Sequence, residues 1–155
     1  MRKKKVVNIV TSNQSAGKQH WDKPHMGWIK VNVDAACRPG EEFIGVGCLM
    51  CDDRGKFLRA RSSRIRGKMQ PKMVEALSLR EALSWIKQWR SSKCIFECNA
   101  KLVVDAVNGG RGKSIFDTIL EDCVYLLKHY QEVLVTFVHR SANIRASPIH
   151  YTILI

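Results

Sequence analysis

Between residues 28 and 66 apolar and polar positions alternate with a period of two, and from residue 71 the period lengthens to 3.6. WIKVNVDA over 28–35 predicts a strand with Ile29, Val31 and Val33 on one side. IGVGCLMC over 44–51 predicts a second strand, Asp52-Asp53-Arg54-Gly55 a turn, and KFLRARSSRI a third strand. Such short connections predict an antiparallel meander. Gly45 and Gly47 thin one face of the second strand, which permits close backbone approach or marks a bulge. PKMVEALSLREALSWIKQW then predicts a helix with Pro71 in its first turn. At 100° per residue, Glu75, Leu79, Ala82, Ile86 and Trp89 fall on one stripe. KCIFEC over 93–98 predicts a fourth strand, and Asn99 a cap for the helix AKLVVDAVN. After the loop GGRGKS come an amphipathic helix, IFDTILEDCVYLLKHY, and a fifth strand, EVLVTFVHR over 132–140. SANIRA begins a last helix that Ser147-Pro148 stops, leaving the apolar tail HYTILI.

The order β-β-β-α-β-α-α-β-α predicts an α/β fold, a mixed sheet covered by helices. A crossover through the Glu75 helix places strands one and four side by side. Two acids then stand out. Asp34 follows a strand whose alternate residues are buried, and Glu75 sits in the middle of an apolar helix face. A carboxylate in either place calls for a partner or a turn. With the fourth strand beside the first, Asp34, Glu75 and Asn99 converge at one end of the sheet, where open α/β sheets place their sites.

Charge changes the picture more than composition does. The 155 residues hold 26 Lys and Arg against 14 Asp and Glu, a net charge of +12, which favours a polyanionic partner. Arg59, Arg61, Arg64, Arg66, Lys68 and Lys72 form a run without an intervening acid, with Arg59 and Arg61 on one face of their strand. Such a run lines a phosphate track without base specificity, or is a solvated basic strand. Trp85 and Trp89 read as helix-packing residues ahead of base-stacking platforms. Residues 1–26 read as a basic flexible arm, 27–147 as the folded domain and 148–155 as a C-terminal tail. SAGKQ in the arm and GKS after Arg111 lack the first glycine of a phosphate loop. Six cysteines, including CLMC and CIFEC, sit in strand-like text without a zinc-ligand pattern, and read as buried thiols in an intracellular compartment, nuclear or cytoplasmic. The sequence contains no apolar run of membrane-spanning length, which points away from a membrane partner and, with one domain of this size, towards a monomer.

WIKVNVDAA, GVGCLMCDDRGKFL, VEALSLREALSWI, IFECNAKLVVDAVN, FDTILEDC and VTFVHRSAN, in this order and spacing, resemble the ribonuclease H superfamily. The likeness is to plant RNase H-like domains, stand-alone or joined to a non-LTR retroelement reverse transcriptase. It covers about residues 28–147. It implies an RNase H-like fold, with a five-stranded mixed sheet in the order 3-2-1-4-5 and helices on both faces. It further implies an RNA/DNA-hybrid endonuclease using two Mg²⁺, or Mn²⁺, ions. Of the family's four acids, Asp34 matches the first-strand aspartate and Glu75 the helix glutamate. The third position holds Asn99 and the fourth Ser147, while His139 is nearest to the family's histidine. Asp34 and Glu75 are the implied metal ligands. The two neutral replacements weaken a paired-ion site, so the implied activity is weak or lost. An inactive nucleic-acid-binding module and a non-functional truncated retroelement domain are the alternatives. By composition alone Asp34 could start a turn, Glu75 could pair with Lys30, Asn99 could be a plain helix cap and His139 a surface residue.

Overall fold

The computed structural model describes residues 20–89, 93–109 and 112–143. The elements run β1 (Ile29–Cys37), β2 (Phe43–Cys51), β3 (Phe57–Arg66), α1 (Pro71–Ile86), a 3-10 turn (Lys87–Trp89), β4 (Lys93–Cys98), α2 (Lys101–Asn108), α3 (Ile115–Leu127) and β5 (Glu132–Phe137). The strands form one sheet in the order β3-β2-β1-β4-β5. β2 is antiparallel to β1 and β3, whereas β4 is parallel to both β1 and β5. The α/β class, the mixed sheet and its order are those expected.

Alternation in β1 sends Val31 and Val33 into the main core with Cys48 and Met50 of β2, Phe96 of β4 and Val133 and Val135 of β5. α1 closes this face with Leu79, Leu83 and Ile86, and α3 with Ile119, Leu120 and Cys123. Removing each such side chain from water contributes roughly 1.5–3 kcal/mol. Tyr130 completes the layer, its ring edge-on to Phe96 and its hydroxyl donating to the Leu83 carbonyl at 2.6 Å.

The intervening β1 side chains are polar and still buried. Lys30 pairs with Glu97 at 2.7 Å, and Asn32 Nδ2 donates to Glu97 Oε2 at 3.0 Å and to Asn143 Oδ1 at 2.9 Å. Asn143 Nδ2 in turn donates to the Val33 carbonyl at 2.8 Å, and Trp21 Nε1 to Asn32 Oδ1 at 3.0 Å. Lys30 also donates to the Asp22 carbonyl. The end of the segment expected to be a loose arm is therefore tied to the sheet, with Pro24 buried and the Trp21 ring 3.4 Å from where a Cβ on Gly55 would lie. Gly55 has φ 78°, so the hairpin turn and this close approach both favour glycine there.

Three alternative readings of single residues fall away. β1 continues through Asp34 to Cys37, so Asp34 starts no turn. Lys30 is occupied by Glu97, not Glu75. The residue capping α2 is Ala100, with no side-chain cap bond, so Asn99 is not a helix cap. α3 is the element with a full capping box, Ser114 and Asp117 exchanging hydrogen bonds at its start. The same Asp117 carboxylate accepts from the amides of Gly112 and Ser114, at 3.0 and 2.8 Å. Two of the GKS amides that imitate a phosphate loop, those of Gly112 and Ser114, are thus filled by an internal acid. These hydrogen bonds, led by that from the Ser114 hydroxyl, hold the Asp117 carboxyl below its ordinary range.

Candidate active site at the ends of β1 and β4

The parallel ladder pairs Val33 with Cys98, so the next residues on the two strands, Asp34 and Asn99, stand at one level. β5 ends beside them, the Val138 amide donating to the Cys98 carbonyl at 2.9 Å. α1 is fastened at the same level by Ser78, whose hydroxyl donates to the Asp34 carbonyl at 3.0 Å. Glu75 lies one helical turn before Ser78. The Asp34 carboxylate acts electrostatically on Glu75. Burial, then the Asp34 carboxylate, push the Glu75 carboxyl up to about 7, opposed by the Arg140 guanidinium. The buried Cys98 thiol between the strands is raised well above its ordinary range, first by burial, then by Glu75, with Cys123, Glu97 and Asp34 adding to it.

The Asn99 Oδ1 is buried and accepts no hydrogen bond from any described group. A buried carbonyl oxygen without a donor costs free energy. Its two lone pairs are left available at the level of Asp34 on the neighbouring strand. Among the described residues no group of three His, Cys, Asp or Glu is arranged to hold a metal ion. Ser147 lies outside the described residues. His139 rests against Phe137, ring centroids 5.3 Å apart. Arg140, its neighbour, is the residue that acts on Glu75, and sequence pattern gave no reason to single it out. Ser78 and Asn143 were also missed. Both hold backbone carbonyls of β1 through side-chain hydrogen bonds, a role without a periodic signal.

The basic run is divided by the pleat. Arg59 pairs in register with Met50, and Arg61 with Cys48, both core-facing, so these two arginines emerge on the α1 side. Arg64 and Arg66 have the opposite parity. Arg64 lies over the Phe43 ring at 4.6 Å, and Arg66 pairs with Glu42 at 3.1 Å. Lys68 follows β3 in the exposed connection, and Lys72 lies over Phe116 at 5.2 Å from its centroid.

A family model described as reverse transcriptase-like matches residues 32–148. No curated protein sequence matches the chain. Solved structures match closely in shape. An RNase H1 from the halophilic archaeon Halobacterium salinarum superimposes with a TM-score of 0.71 at 18% identity, over 79% of this chain and 93% of that one. The N-terminal RNase H domain of a Mycobacterium tuberculosis protein gives 0.69 at 17% identity, over 79% and 89%. An RNase H1 of compost-metagenome origin, solved in complex with RNA/DNA hybrid, gives 0.69 at 17% identity, over 78% and 92%. At these identities the likeness is one of fold.

Proposed function

The chain belongs to the reverse transcriptase-like family, and from that premise we propose that it is an RNase H-type domain that binds RNA/DNA hybrid or duplex nucleic acid and hydrolyses it weakly or not at all. The observation that carries this reading is the third position of the acid cluster. Asn99 follows β4 level with Asp34, but brings a neutral oxygen where hybrid hydrolysis calls for a charge.

Phosphodiester hydrolysis of this kind uses divalent ions to activate water and to relieve charge on the leaving oxygen. The residues present fit one hard cation better than two. Asp34 and Glu75 supply carboxylates, and the unpartnered Asn99 Oδ1 supplies a third oxygen. A carboxyl raised to about 7 is largely protonated in mildly acidic solution, so Glu75 would have to give up its proton to serve as a ligand. Arg140 favours that ionised form without a cation, which further reduces the need for one. Binding asks less. A net charge of +12 and exposed arginines suffice for phosphate contacts. The family description supports descent from a retroelement-type hybrid endonuclease. Six cysteines, five of them buried, suit a reducing intracellular compartment.

The test is a labelled RNA/DNA hybrid incubated with the natural protein and Mg²⁺ or Mn²⁺, with binding followed in parallel. Salt-sensitive binding with little or no cleavage is expected. Brisk Mg²⁺-dependent turnover abolished by Asp34→Asn would establish a competent nuclease. Absence of binding to hybrid and duplex would remove the nucleic-acid reading altogether.

A further inference from the structure

Resting on that nucleic-acid-binding reading, we infer that Arg59 and Arg61, each laid on an indole of the α1 end, form a separate docking surface for nucleic-acid backbone phosphates, away from Asp34 and Glu75. β3 is an edge strand of the sheet and almost all of its residues are exposed. The Arg59 guanidinium lies 5.0 Å from the Trp89 ring centroid, and that of Arg61 5.9 Å from Trp85. The two indoles stand edge to face, 4.7 Å between centroids, and both pack on the main core. The tryptophans are therefore not free platforms for bases. They hold two guanidinium groups against a rigid wall.

That arrangement suits phosphate. A guanidinium lying on a ring keeps its N–H donors at its rim, and an arginine already held there loses less freedom when it binds. Residues two apart on a strand are about 6.7 Å apart, comparable with adjacent phosphates of one nucleic-acid strand. Among the described residues neither Arg59 nor Arg61 has an acid within salt-bridge distance. Asp52 and Asp53, close in sequence, and Glu81, which lines one cavity with Arg61, are engaged. Asp52 accepts from the amides of Arg54 and Lys56, Asp53 accepts from the Gly27 amide, and Glu81 pairs with Arg80 at 3.4 Å. Arg66, in contrast, is already paired with Glu42. The register sets Asp34 opposite Gly47, and Gly47 opposite Ser62. Arg59 is three residues further along β3 and two strands across, which puts it roughly 14 Å from Asp34. The ladder would thus grip the backbone beyond the reacting end.

The test is fluorescence anisotropy with a labelled RNA/DNA hybrid over a KCl series, using R59S/R61S, R59K/R61K and the control K101S/K128S, which removes two charges at α2 and after α3. Thermal melting checks that each variant folds. R59S/R61S is expected to lose at least tenfold in affinity and to flatten the slope of log affinity against log salt by about 2. R59K/R61K keeps the charge but not the flat stacked fork, so it is expected to keep the slope and lose severalfold in affinity; it also serves if the serine variant does not fold. The inference is overturned if R59S/R61S keeps natural affinity and slope, or if K101S/K128S falls as far. It is equally overturned if the two arginines govern binding only to phosphatidylserine vesicles and not to hybrid. Failure of the natural protein to bind hybrid would overturn the proposed function itself, whereas binding that ignores the two arginines would overturn the ladder alone.

Discussion

Lys30 Nζ and Glu97 Oε1 lie 2.7 Å apart on neighbouring parallel strands, with 2% and 4% of their side chains exposed. Asn32 donates to the other Glu97 oxygen at 3.0 Å, so the carboxylate is held at both ends. Breaking a buried pair from one side leaves an uncompensated charge, which costs about 3–5 kcal/mol, whereas replacing both partners with apolar residues is often neutral. Glu97→Gln is therefore expected to lower the unfolding free energy measured in urea by that amount, and Lys30→Met with Glu97→Leu to recover most of it. A Glu97→Gln loss below 1 kcal/mol would show that water reaches the Lys30 ammonium.

Glu75 makes stability depend on pH. Its carboxyl rises from an ordinary 4.5 to about 7 in the folded chain, through burial and then Asp34. The native state therefore binds the proton more tightly than the unfolded state does. The associated stability is fully present below pH 4.5 and is lost as pH rises through about 7. The loss is at most about 3 kcal/mol. Glu75→Gln, which cannot ionise, is expected to be more stable than the natural protein at pH 8 and to show a flatter profile between pH 5 and 8. Parallel urea profiles for the two proteins would contradict the raised carboxyl.

The thiols are expected to separate by reactivity. Burial raises Cys48 and Cys123 to about 12 and Cys98 well above its ordinary range, and Cys51 and Cys94 are buried too. A thiolate is the reacting species. In the native state a disulfide reagent is expected to modify Cys37, the partly exposed one, well ahead of the other five. Fast modification of several thiols without denaturant would mean that the core opens readily.

Much of this fold was legible because its signals are periodic. The change of period at Pro71 marked the passage from meander to crossover, and the apolar alternation of Val31 and Val33 marked the core face of β1. The polar half of the same alternation was harder to interpret. Lys30 and Asn32 look solvent-facing in the sequence, yet Glu97, Asn143 and Trp21 bury them through contacts 11 to 111 residues away. No local window contains those partners. Asp34 and Glu75 stood out as residue types because each breaks an apolar pattern, whereas Asn99 read as a helix cap and was singled out as a member of the acid cluster only through the family resemblance. The coupling to Arg140 was not legible, since it arises only when the end of β5 is brought beside β4. The basic run was legible as charge, but its division by the pleat depends on the register of β3 on β2.

The strongest remaining prediction concerns Asn99. Its side-chain oxygen is buried and unpartnered at the level of Asp34, so a carboxylate there is expected to be costly without a cation and favourable with one. Without divalent ions at pH 8, Asn99→Asp is expected to melt below the natural protein, because it adds a charge in a buried place at the level of Asp34. With excess Mg²⁺ or Mn²⁺ the order is expected to reverse. Binding linkage supplies about 2.7 kcal/mol when free cation reaches a hundred times the dissociation constant. This melting comparison reads cation binding directly and does not depend on catalysis. Hybrid cleavage is the second readout, measured for Asn99→Asp alone and with Ser147→Asp, the change at the fourth position that the family resemblance identifies. Cation-dependent stabilisation together with new cleavage in the double variant would mean that the scaffold still places its reacting groups and lacks only charge. Stabilisation by cations that is no greater in Asn99→Asp than in the natural protein would show that Asn99 does not face the Asp34–Glu75 pair.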